Sequence, residues 1–143
     1  MKTVVVIPAR YASQRFPGKP LHPINGVSML ARTVRAAQLA GQATGASVLV
    51  ATDDDRTAAH AKELGGAPAL PDPDLPSGTD RCRAAAELAA PDADFIVNLQ
   101  GDAPFTPPEH VAALIANAAK GDVVTPVIQL TWKALDALRE NKK

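Results

Sequence analysis

The sequence predicts an α/β fold: a mostly parallel β-sheet with helices on both of its faces. Three observations lead there. Short apolar runs alternate with segments of helical period along the whole chain, the pattern of strands joined by helical crossovers. The first run, Val4-Val5-Val6-Ile7, shows no polar alternation, as expected of a strand buried on both faces. The runs at 4–7 and 94–99 empty into loops rich in glycine, proline and charge. In this fold class ligands bind outside the carboxyl ends of the strands.

The elements follow in order. Pro8 ends the first strand, because proline has no N–H to give to a ladder. Residues 8–21 carry turn residues without helical period and read as a loop. Asn25-Gly26 is a turn signal. From Ser28 to about Ala40, Met29, Leu30, Val34 and Ala37 recur at helical spacing, and Gly41 marks the helix end. Residues 46–51 read as the second strand. The acidic triplet Asp53-Asp54-Asp55 caps the next helix, which spans about 56–64 and stops at Gly65-Gly66. Residues 67–70 make a weak third strand, demoted by Pro68. A rigid loop, 71–77, leads to Gly78-Thr79-Asp80-Arg81 and a helix through Ala89. Residues 94–99 are the clearest strand after the first. Thr106 with Glu109 fits a capping box, and Pro107 suits the first position of a helix reaching about Ala119. Residues 122–128 read as a fifth strand, and 131–141 as a short amphipathic helix with Trp132 as its anchor.

Chemistry concentrates in the loops at 8–21, 77–81 and 100–105. The first holds Arg10, Arg15 and Lys19. Arginine offers phosphate a planar fork, and lysine a point charge. In the second, Ser77-Gly78-Thr79-Asp80-Arg81 offers backbone amides, hydroxyls and a guanidinium, although an ordinary N-cap would look the same. In the third, Asp102 follows Gly101 directly after a buried strand, where it reads either as an exposed turn aspartate, the commoner fate of Gly-Asp, or as a metal ligand. One carboxylate completed by phosphate oxygens and water is a normal shell for Mg²⁺. His22, His60 and His110 show no metal-ligand spacing. Cys82 falls on the buried side of its helix and reads as packing rather than nucleophile.

Composition bounds the remaining classes. The 143 residues are 46% hydrophobic, a globular share on one domain-sized chain. Lys+Arg and Asp+Glu both number 15. Zero net charge argues against broad nucleic-acid or membrane affinity and confines any anion site to a local cluster. One cysteine excludes an intramolecular disulfide and fits a reducing compartment. With no signal-peptide pattern and no bilayer-length apolar run, the expected location is cytoplasmic.

The string PARYASQRFPGKPL from Pro8 to Leu21 resembles the N-terminal signature of the CMP-KDO synthetases (3-deoxy-manno-octulosonate cytidylyltransferases). Asn98, Gln100, Gly101, Asp102 and Pro104 match that family's NxQGDxP pattern, and residues 77–81 its SGT-(D/E)-R string. The resemblance implies a Rossmann-like nucleotide-diphospho-sugar transferase fold. It also implies transfer of CMP from CTP to a KDO-type sugar acid for lipopolysaccharide biosynthesis, with release of pyrophosphate. By the same resemblance Pro8, Ala9, Arg10, Ser13, Arg15, Lys19, Ser77, Gly78, Thr79, Arg81 and Gln100 bind the nucleotide. Arg10 and Lys19 act on the triphosphate, Asp102 holds Mg²⁺, and Asp53 lies near the pocket. The family normally has glutamate after this aspartate, where this chain has Ala103.

The matching stretch, 4 to about 127, corresponds to the first half of such an enzyme. The second half carries much of the sugar pocket, most of a homodimer contact and a late D-T-P metal motif that this sequence lacks. Residues 1–143 are thus expected to be the CTP-binding part of a truncated domain. Two alternatives stay open: a nucleotide-binding remnant without turnover, or a transferase for another sugar acid, such as an amino-KDO or a sialic acid.

Overall fold

The computed structural model describes residues 1–12 and 16–141. In chain order they form β1 (Thr3–Pro8), β2 (Pro23–Ile24), β3 (Val27–Ser28), α1 (Met29–Thr44), β4 (Ser47–Ala51), α2 (Asp55–Glu63), β5 (Ala67–Ala69), α3 (Gly78–Ala89), β6 (Phe95–Asn98), α4 (Pro108–Ala116) and α5 (Trp132–Glu140). Short 3₁₀ turns lie at Lys19–Leu21 and Ala118–Lys120.

The main sheet has the order β5-β4-β1-β6, and every pairing in it is parallel. Central β1 pairs with β4 from Val4↔Ser47 to Pro8↔Ala51, and with β6 from Thr3↔Phe95 to Val6↔Asn98. Its apolar run divides by the period of two. Val5 and Ile7 pack with Leu30, Val34 and Ala37 of α1, Ala61 of α2, and Val111 and Ile115 of α4. Val4 and Val6 pack with Cys82, Ala85 and Ala86 of α3 on the other face. Helices on both faces are therefore required, because a strand with no polar side has two faces to cover. Burial of each such aliphatic side chain contributes about 1.5–3 kcal/mol.

Helix ends follow local chemistry. Ser28 caps α1 by accepting the Ala31 amide, Asp54 caps α2 by accepting those of Arg56 and Thr57, and Ser77 caps α3 by accepting that of Asp80. Gly41 does not end α1. The helix runs on to Thr44, and Gly45 at φ 80° makes the left-handed cap. Gly41 is instead a point of close approach, where a Cβ would lie 2.5 Å from the Ala46 carbonyl oxygen. Asn25 and Gly26, both at positive φ, turn the β2–β3 hairpin. β5 forms despite Pro68 because it is an edge strand of the sheet, where a missing N–H costs no ladder bond.

Three further expectations fail. Residues 122–128 form no strand and lie in solvent, with Val127 87% exposed. Their β-propensity finds no neighbouring strand, and Pro126 interrupts their donors. The capping box at Thr106 does not form. Thr106 Oγ1 donates to the Ala103 carbonyl, and Pro107 caps α4 without a side-chain bond. Trp132 is no anchor: it is 77% exposed, and no residue of α5 is buried. Among the described residues no helix is long and apolar enough to cross a membrane.

Candidate functional site

The connection leaving β1 leads to β4 on one side, whereas β6 lies on the other side of β1. Strand order thus reverses between β1 and β6, and a crevice opens at their carboxyl ends. A cavity of about 560 Å³ occupies that crevice, a size usual for small-molecule sites. Pro8, Ala9, Arg10, Ala12, Lys19 and Pro20 line it from the segment after β1, Gly78 and Arg81 from α3, and Gln100, Gly101 and Asp102 from the segment after β6. Met29, at the start of α1, completes the wall. All three loops singled out in the sequence meet here.

Of the residues expected to bind the nucleotide, Pro8, Ala9, Arg10, Lys19, Gly78, Arg81 and Gln100 stand on the wall, as does Asp102. Ser77 and Thr79 do not: Ser77 caps α3, and Thr79 Oγ1 accepts from Asn98 Nδ2 at 3.3 Å. Ser13 and Arg15 lie outside the described residues. Ala12, Pro20 and Met29 are wall residues that sequence reasoning missed. Apolar, they carry no chemistry for a sequence reading to single out, although Ala12 and Pro20 lie within the 8–21 string.

Arg81 is the unusual member. It has no exposed surface, its Nη2 donates to the Pro73 carbonyl at 3.0 Å, and its Nε and Nη1 have no partner among the described residues. Unpaired buried donors are costly, by about 1–3 kcal/mol each. The guanidinium is thus buried beside the cavity with two nitrogens unpaired, and a small shift of the side chain would be needed to bring either to an acceptor there.

The cations are held differently. Lys19 starts a 3₁₀ turn between Gly18 at φ 73° and buried Pro20, so its stem leaves a fixed backbone. Its Nζ lies 2.9 Å from Asp102 Oδ2, a bond between partly exposed groups. Arg10 Nε lies 3.6 Å from Asp53 Oδ2, just beyond the end of β4. Asp53 also accepts the Tyr11 amide, so the resemblance's placement of it near the pocket agrees with the geometry. Asp54 pairs with Arg56, whose guanidinium holds its carboxyl below the usual range.

Among the described residues no group of three or more His, Cys, Asp or Glu could enclose a metal ion. The donor set still fits Mg²⁺ that arrives with a triphosphate, since one exposed carboxylate beside phosphate oxygens is sufficient for that ion. Ser28 Oγ, His60 Nε2 and Glu63 stand in a row, at 2.7 Å and then 3.3 Å from His60 Nδ1. That row is structural, because the hydroxyl already accepts the Ala31 amide as the cap of α1.

Cys82 is buried as expected, and desolvation pushes its thiol up to about 12. Since the thiolate is the reactive form, the native chain should resist iodoacetamide at pH 8 and be labelled fully in denaturant. Labelling at the same rate in both conditions would show that the thiol is accessible in the native fold.

A family model described as cytidylyltransferase matches residues 4–139. The 3-deoxy-manno-octulosonate cytidylyltransferase of Cytophaga hutchinsonii is 44% identical over 127 residues, covering 89% of this chain and 48% of that protein. The 8-amino-3,8-dideoxy-manno-octulosonate cytidylyltransferase of Shewanella woodyi is 41% identical over 139 residues, covering 94% and 56%. Among solved structures, a CMP:2-keto-3-deoxy-manno-octonic acid synthetase complexed with CTP superposes with a TM-score of 0.74 at 38% identity, covering 87% of this chain and 50% of that one. The chain thus spans about half the length of these relatives. With its parallel sheet, its cavity at the switch point and a match from Val4 to Arg139, the chain belongs to the cytidylyltransferase family.

Proposed function

We propose that the chain supplies the CTP-binding part of a cytidylyltransferase that activates a 3-deoxy-octulosonate-type sugar acid, KDO or its 8-amino analogue. The observation that carries this reading is buried Arg81 on the cavity wall, with Nε and Nη1 unpaired. Cytosine presents acceptors, O2 and N3, to such donors, and adenine carries no carbonyl oxygen. The relatives whose names specify KDO or amino-KDO support the sugar class.

In the reaction the sugar's anomeric hydroxyl attacks the α-phosphorus in line, and pyrophosphate leaves with the electron pair of the broken P–O bond. Arg10 and Lys19 line the cavity on the β1 side, where they would offset the charge of the triphosphate. Arg81 would hold the base. Asp102 would hold Mg²⁺, which when bound supplies charge neutralisation on the phosphates. By the family resemblance a sugar pocket and a homodimer contact would fall in the second half of such an enzyme, outside the stretch matched here.

A second reading, nucleotide binding without turnover, is favoured by Ala103, which puts no charge beside Asp102. Calorimetric titration with CTP and with ATP, followed by a pyrophosphate-release assay with CTP, KDO and Mg²⁺, tests both. CTP should bind at least about tenfold more tightly than ATP, the worth of one well-made buried hydrogen bond. Equal affinities would overturn the pyrimidine assignment, and CTP binding without pyrophosphate release would favour the second reading.

A further inference from the structure

We propose that Asp53 is a positioning residue: it sets the course of the loop leaving β1 and aims the Arg10 guanidinium into the cavity. The proposal rests on the reading of that loop as a triphosphate site. Asp53 is not on the cavity wall. Its side chain is only 8% exposed, and a polar group so placed needs partners. Among the described residues it has one for each oxygen. Oδ1 accepts the Tyr11 amide at 3.1 Å, and Oδ2 faces Arg10 Nε at 3.6 Å. The carboxylate thus binds one backbone and one side-chain group of the same loop.

The contact engages the stem side of the guanidinium. The side chain of Arg10 is 51% exposed and lines the cavity, so an anion entering the cavity meets it there. Without Asp53 an arginine this exposed would spread over many rotamers and bind phosphate at a larger entropic cost. Tyr11 itself is held at further points. The Tyr11 carbonyl accepts the Gly18 amide at 2.9 Å. The Arg56 guanidinium lies 3.6 Å from the centroid of the Tyr11 ring and is itself held by Asp54. Tyr11 is therefore gripped at its amide, carbonyl and ring, and Asp53 provides the grip nearest Arg10.

The test separates aim from fold. Asp53→Asn keeps one oxygen for the Tyr11 amide and loses the charge facing Arg10. Calorimetry at fixed ionic strength would compare wild type, Asp53→Asn, Arg10→Ala and the double variant, with tripolyphosphate, CTP and cytidine as probes. Asp53→Asn should weaken tripolyphosphate and CTP about fivefold, the scale of one lost rotamer restriction. It should leave cytidine unchanged and cost nothing further in the Arg10→Ala background. An additive loss in the double variant, or an equal loss for cytidine, would reduce Asp53 to a structural residue and overturn the proposal. So would tighter tripolyphosphate binding by Asp53→Asn, which would make the carboxylate a mere competitor for Arg10. A wild-type chain that binds no tripolyphosphate also overturns it. A chain that binds tripolyphosphate with the predicted coupling, but not CTP, would support the proposal and sink the cytidylyltransferase reading alone.

Discussion

Gly101→Ala should lower the stability of the fold and deform the cavity in one step. A Cβ at this position would stand 2.4 Å from the Pro8 carbonyl oxygen, 3.4 Å from the Pro8 carbonyl carbon and 3.6 Å from Ile7 Cγ2. The oxygen belongs to the last residue of the central strand, whose register with Ala51 is fixed by the ladder. It cannot rotate away as a flexible side chain would, so the loop after β6 has to move. Overpacking of this kind costs about 1–3 kcal/mol, occasionally more, and a backbone obstacle places the change at the upper end. For a chain of this size that corresponds to roughly 10 °C in the unfolding midpoint. Because Pro8 and Gly101 both line the cavity, CTP binding should fall as well. Thermal unfolding and a CTP titration check the two effects. Gly121→Ala is the control: its φ of 178° is ordinary extended backbone, and the nearest atom to a Cβ there is the Val123 carbonyl oxygen at 3.6 Å. If Gly101→Ala melted within a degree of Gly121→Ala, the close approach of the two loops would not be a constraint on the fold.

Gly101 also marks where sequence reading runs out. The central strand β1 was legible because β-branched side chains without alternation are suited to an interior strand, and the alternation of strands and helices implied parallel pairing. Ser77 was legible as a cap, since a hydroxyl before a helix satisfies a first-turn amide. The need for glycine at 101 lies in a carbonyl more than ninety positions away, which no local pattern encodes. The same holds for Arg81, legible as a guanidinium at the start of α3 but not as a fully buried one, and for Asp53, whose partners at 10 and 11 come from another strand's loop. Residues 122–128 fail in the opposite sense. Val123, Val124, Val127 and Ile128 have the local preference for a strand, but a strand exists only beside another one, and the described chain offers them none. Trp132 follows the same logic: an aromatic at a helix start packs only where a surface is there to receive it.

The largest effects on binding should come from Lys19 and Asp102, which leave different strands and meet at 2.9 Å. Lys19→Ala should weaken CTP with or without Mg²⁺, because in the proposed site the ammonium would act on the phosphates directly. Asp102→Asn should behave differently in the two conditions. Without metal it removes a carboxylate that repels phosphate and competes for the Lys19 ammonium, so CTP binding should stay level or improve slightly. With Mg²⁺ it would remove the proposed hold on the ion, and binding should fall. Charge-assisted contacts of this kind are worth about 1.5–3 kcal/mol, on the order of tenfold to a hundredfold in affinity. The fold should be little affected by either change, since both side chains are partly exposed and exposed ion pairs stabilise weakly. CTP titrations of both variants in EDTA and in Mg²⁺ give the comparison. Equal losses for Asp102→Asn in the two conditions would make Asp102 a structural partner of Lys19 and remove the metal assignment. A loss for Lys19→Ala only in Mg²⁺ would show that the lysine acts through Asp102, by setting its position, rather than on the phosphates.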